Sequence, residues 1–151
     1  MRGLTVKEKI ARSIARHKRI VSFRSDFKSM GSASQISRAL RELINEGTIV
    51  RISHGIYAKA RPSSLSGRPV AQAGLSELTE EVLEKMGIPV RLGQAQEAYA
   101  SGRTPDVPVY TAFYTGERRI TRKITIGRST VRFENKYNTK RKKTYKDWGA
   151  G

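Results

Sequence analysis

Residues 32–59 read SASQISRALRELINEGTIVRISHGIYAK, and the apolar spacing changes once along them, at Gly47. Before it, Ile36, Leu40, Leu43 and Ile44 recur at the spacing of one helical face, and glycine is the usual helix stop because it adopts a left-handed backbone cheaply. The pattern predicts an amphipathic helix from Ser32 or Ser34 to Glu46. After it, Thr48 to Ile52 and Ile56 to Lys59 are β-prone runs joined by Ser53-His54-Gly55, which predicts a hairpin.

Working outward, Thr5-Val6-Lys7-Glu8 has the form of a reciprocal helix cap, and Val6, Ile10, Ala11 and Ile14 follow at helical spacing. Ile20 to Phe23 is a short β-prone run. Ser25 then opens a brief helix through Asp26, Phe27 and Met30 that Gly31 ends. Helix, short helix, longer helix and basic hairpin, in that order, follow the plan of a winged helix-turn-helix over residues 1–61. In such a plan the start of the longer helix faces base edges, so Ser34, Gln35, Ser37, Arg38 and Arg41 are the candidate reading residues. Gln35 and Arg38 suit paired hydrogen bonds to adenine and guanine. Arg51, His54, Tyr57, Lys59 and Arg61 are the candidate contacts of the wing, chiefly to phosphates. The bland reading of these cations is a solvated face.

Charge supports a polyanionic partner. The 151 residues hold 30 Lys and Arg against 13 Asp and Glu, a net +17. Residues 1–61 carry +10, residues 62–134 carry +2 and residues 135–151 carry +5. This split predicts a basic N-terminal module, a near-neutral middle domain and a basic tail. The segment RPSSLSGRP, with its Pro, Ser and Gly, places a linker at 62–69. In the tail, Lys140, Arg141, Lys142 and Lys143 form a candidate electrostatic arm; the alternative is a solubilising end.

In residues 70–134, Ser76 to Met86 and Gln94 to Ala100 read as helices, the first with acidic residues early and Lys85 late. Three β-prone stretches, 107–115, 119–126 and 129–134, make an antiparallel β-meander the economical reading. Arg122 interrupts the apolar face of the second, placing it at a rim or a contact. Tyr110, Phe113 and Tyr114 read as core in preference to a base-stacking sheet. The expected class is therefore α+β: an N-terminal winged helix-turn-helix, a small α/β domain with an antiparallel meander, and a basic tail.

No apolar run is long enough to span a bilayer and the N-terminus has no apolar signal centre, so the chain is expected to be cytoplasmic. There are no cysteines and only two histidines, His17 and His54, which leaves no expectation of a bound metal or cofactor. No P-loop or catalytic triad spacing occurs, and Glu77, Glu80, Glu81 and Glu84 fall at solvent-face spacing on a helix, so an enzyme is not expected.

The run SRALRELINEGTIVRISHGIYAKAR (37–61), with the later VPVYTAFYTGERRITRKITIGRSTVRFENK, resembles the AbiEi-like antitoxins and transcriptional regulators of type IV toxin-antitoxin, or abortive-infection, systems. The resemblance spans about residues 5–136 and lacks the Lys/Arg tail. It implies a winged helix on double-stranded operator DNA, with the recognition helix around Ser34, Gln35, Arg38 and Arg41 and the wing around Arg51, His54 and Tyr57. It also implies a second domain that supports repression and, in toxin-paired members, blocks a nucleotidyltransferase-like toxin. The function expected is a sequence-specific autorepressor, monomeric or weakly dimeric and paired on DNA. The alternative is a general RNA- or DNA-binding protein dominated by its tail.

Overall fold

A computed structural model describes residues 3–139. The element order is α1 (Val6–Arg16), β1 (Val21–Phe23), a 3-10 turn (Arg24–Phe27), α2 (Ala33–Asn45), β2 (Ile49–Ser53), β3 (Ile56–Pro62) and β4 (Pro69–Ala71). It continues with α3 (Leu75–Lys85), α4 (Gln94–Ala100), β5 (Ala112–Tyr114), β6 (Thr125–Ile126), β7 (Ser129–Thr130) and β8 (Arg132–Glu134). The class is mixed α+β.

The two principal N-terminal helices start where local chemistry dictates. Thr5 accepts from the Glu8 amide and Glu8 reaches back, and Ser32 does the same with Gln35, so both helices begin with a reciprocal cap. Gly31 is required just before α2: a Cβ there would lie 2.7 Å from a Val6 methyl, so the loop passes too close to α1 for any side chain. Ile10, Ile14, Phe27, Ile36, Ala39, Leu40, Leu43, Ile49 and Tyr57 form the resulting apolar cluster.

Strands β1, β3 and β2 lie side by side, with β3 central and both neighbours antiparallel; β4 pairs with the far part of β3. Side chains alternate across a strand, so β3 sends Tyr57 to the helical cluster and Ile56 and Ala58 to a second one. That second cluster gathers Val21 and Ile52 from the same sheet with Ala71, Leu78, Val82, Leu83, Ile88, Phe113, Ile124 and Val131. The sheet is thus covered on both faces, and its second face is closed by chain expected to form a separate domain.

Two expectations need correction. Residues 62–69, read as a linker, belong to the β3–β4 hairpin: Pro62 and Pro69 pair at the strand ends, and the loop between them is closed by Ser63 N donating to Arg68 O at 2.8 Å and Gly67 N to Ser63 O at 2.9 Å. Pro, Ser and Gly mark tight turns and tethers alike, so composition alone does not separate them. The antiparallel meander is also absent from 107–134. Strands β5 and β8 pair in parallel, and β6 and β7 form a separate two-stranded hairpin. Residues 119–123 lie outside the sheet, and two of their cations reach other elements: Arg119 lies over the Tyr137 ring at 4.2 Å and Arg122 bonds to the His54 carbonyl.

Candidate nucleic-acid interface

The helix face that sequence reasoning singled out is exposed on α2. Ser34, Gln35, Arg38 and Arg41 are exposed and Ser37 is half-buried, while Ile36, Ala39, Leu40 and Leu43 on the opposite side are buried. Charge along the helix is polarised. Its acids, Glu42 and Glu46, lie toward the C-terminal end, where Lys7 of α1 meets both. The Glu46 hydrogen bond holds the Lys7 pKa above its ordinary 10.5. Arg38 reaches Glu42 at 3.3 Å yet keeps 81 % of its side chain exposed, so the pair is a weak tether. Arg41 makes no ion pair among the described residues.

Gln35 has a second task. Its Oε1 accepts from Ser32 N at 2.8 Å, closing the α2 cap, which ties the oxygen to the helix start and leaves the amide nitrogen as the donor turned to a partner. Capping therefore competes with base reading for the same side chain. Ser34 shares a hydroxyl contact with Ser32 at 3.2 Å.

The β2–β3 hairpin carries a less uniform set. Arg51 and His54 are exposed, and the Arg51 guanidinium lies 3.1 Å from His54 Nδ1. Gly55 turns the hairpin at φ +70°, a conformation that L side chains rarely adopt. Arg61 is exposed near the distal end. Tyr57 and Lys59 lie elsewhere than expected. Tyr57 is only 8 % exposed and belongs to the helical cluster, because its face of β3 is the one covered by α1 and α2. Lys59 Nζ donates to the His17 carbonyl at 2.7 Å, which fastens the end of α1 to the sheet. Lys140, Arg141, Lys142 and Lys143 lie outside the described residues.

Sequence reasoning missed two neighbours of this face. Arg24 and Lys28 flank a shallow cleft with Ser25, Gly31, Ala33 and Ile36 at the start of α2, and Arg24 donates to Ala33 O at 2.9 Å. Two cations four residues apart in the turn before the helix were the available signal. Arg122, read from the sequence as a rim or contact residue, bonds through its guanidinium to the His54 carbonyl at the tip of the first hairpin.

The second half is also joined to the first by a carboxylate. Glu81, expected on a solvent face of α3, is half-buried, and its Oε1 accepts from Ile20 N at 2.9 Å and Val21 N at 2.8 Å. Periodicity showed which face of α3 is apolar, but not that strand β1 lies along its flank. Lys85 of the same helix pairs with Asp26 and sits over the Phe23 ring at 5.0 Å.

A family model matches residues 6–145, which takes in every element from α1 to β8. The chain belongs to DUF6088, a family of unknown function. No curated protein matches it. The DUF6088 match runs from before α2 to past Lys143, so the helical face, both hairpins and the basic run all fall within its span. Among the described residues of this member no group of three or more potential metal ligands occurs, and no helix is long and apolar enough to cross a membrane.

Proposed function

We propose that this chain is a winged helix-turn-helix protein that binds double-stranded DNA and represses its own operon, in the manner of the AbiEi-like antitoxin regulators it resembles. The observation that carries the reading is the succession α1, β1, turn, α2, β2, β3 with β3 central in the sheet, which leaves a polar, basic helix face next to a basic hairpin. In this reading α2 lies in the major groove. Arg38 contacts a base edge, Ser34, Ser37 and Arg41 set the register, and Arg51, His54 and Arg61 hold backbone phosphates. Gln35 contributes through its free amide nitrogen while its oxygen keeps the cap. The surface of residues 70–134 is the site for a protein partner such as a nucleotidyltransferase-like toxin. The protein is placed in the cytoplasm, with no catalytic role.

The test is a fluorescence-anisotropy comparison of the chain's own upstream DNA with random duplex at about 150 mM salt. Specific binders discriminate by about a thousandfold or more. Equal affinities would overturn operator recognition and favour the general nucleic-acid binder. In that second reading, deletion of residues 136–151 removes most of the affinity for any duplex.

A further inference from the structure

The middle of the chain is near neutral only on average. Residues 118–133 contain Arg118, Arg119, Arg122, Lys123, Arg128 and Arg132 with no Asp or Glu among them. The acids that balance this run lie mostly earlier, at Glu77, Glu80, Glu81, Glu84, Glu97, Asp106 and Glu117. Folding brings Arg122 and Lys123 of this run to the first hairpin, while Arg128 and Arg132 line a separate cleft beside Tyr110 and Thr111. Arg122 bonds to the His54 carbonyl, and the β6–β7 hairpin lies along β2, facing Val50, Arg51 and Ile52.

Between the two hairpins runs an open cleft of about 380 Å³, lined by Arg51, Ile52, Ser53, His54, Lys123, Thr125 and Gly127. No carboxylate lines it. Ser53 is 7 % exposed and its hydroxyl has no hydrogen-bond partner among the described residues. Of the six cations, Arg119 and Arg132 lie over the Tyr137 and Tyr110 rings and Arg122 joins the hairpins. Lys123 and Arg128, flanking and turning the second hairpin, are exposed and form no ion pair among the described residues. A structural task accounts for the first three. Arg118 is also exposed but closes the turn after β5, its N donating to Thr115 O at 3.2 Å, and lies outside the second hairpin. That leaves Lys123 and Arg128 as the free cations of that hairpin among the described residues.

We propose that the β6–β7 hairpin is a second phosphate-holding arm, in which Lys123 and Arg128 grip the backbone of the same duplex that the first hairpin touches. It deepens the DNA-binding reading, on which it rests. It moves part of the affinity from the N-terminal 61 residues to the C-terminal half. The arm contributes no base preference, because its contacts are to phosphate.

The experiment measures the affinity of the full chain for a random duplex across a salt series, with Lys123→Gln/Arg128→Gln beside the unaltered protein. Each lost phosphate contact lowers the log–log salt slope by about 0.9, so the pair should lower it by about 1.8 and weaken binding about 30-fold at 150 mM salt. Both side chains are exposed, so the thermal midpoint should be unchanged and a loss of affinity is not a loss of fold. An unaltered slope in a protein that still binds duplex overturns the arm and leaves the helix reading intact. A variant that keeps duplex binding but loses single-stranded RNA also overturns it, assigning the hairpin to RNA. If the unaltered protein binds no duplex even at low salt, the parent reading falls and the arm falls with it.

Discussion

The two faces of the β1-β3-β2 sheet are covered by chain of very different character. One is closed by α1 and α2, whose apolar residues recur at regular helical spacing and whose ends carry reciprocal caps. The other is closed by α3 together with isolated residues from short strands and loops: Ile88, Phe113, Ile124 and Val131. Both clusters are buried, yet only the first announces itself by a local repeat. Burial of a sheet face requires matching apolar area and not a regular donor of it, so the second face is assembled from whatever the chain returns.

The sharpest way to break this comparison is to remove one cover. A chain ending at residue 71 keeps every element of the first cluster but exposes Val21, Ile52, Ile56 and Ala58. It should fail to give a dispersed NMR spectrum. A folded, monomeric fragment would show that the faces are independent and restore the two-domain picture. Next, Leu40→Ala and Leu83→Ala each empty a fully buried site, one per cluster. Each should cost about 2–5 kcal/mol. Because one sheet joins the clusters, each variant should still melt in a single transition, which calorimetry reports. Two transitions would separate the faces.

A smaller effect probes the seam itself. Glu81→Ala leaves the Ile20 and Val21 amides without their acceptor and should cost about 1–3 kcal/mol in chemical denaturation. Loss of less than a few tenths would mean that water replaces the carboxylate freely. The smallest effect lies on the helical side, at the Lys7–Glu46 pair. The Lys7 pKa is raised in the fold, so its contribution is complete below the ordinary 10.5 and is lost as pH climbs through the folded value. The thermal midpoint should therefore fall more steeply between about pH 9 and 12 in the unaltered protein than in Glu46→Gln. Parallel curves would show that the contact carries no stability.

What was legible follows the same division. The capped helices, the turn at Gly47 and the hairpin through Gly55 are consequences of local spacing, and they stand where the sequence places them. Helix α3 was equally plain, but the partner of Glu81 was not, because a strand sixty residues away leaves no trace in helical periodicity. The meander failed at Arg119 and Arg122, whose side chains serve a ring and a carbonyl outside their own strand. At the candidate interface, Arg38, Arg41 and Arg51 are surface residues as read, whereas Tyr57 and Lys59 depend on strand register and tertiary partners. The near-neutral count over 62–134 concealed the basic run at 118–133, since averaging over a long window erases charge that is segregated along the chain.

The Glu81 carboxylate has a consequence beyond holding two halves together. Strand β1 borders its sheet on one side, and a bare strand border invites a neighbouring molecule to add its own backbone and propagate into aggregates. With the Ile20 and Val21 amides already occupied by an anionic side chain, that invitation is withdrawn, and an incoming strand would meet a negative charge where it needs free donors. The same two hydrogen bonds thus guard this strand border against self-templated association.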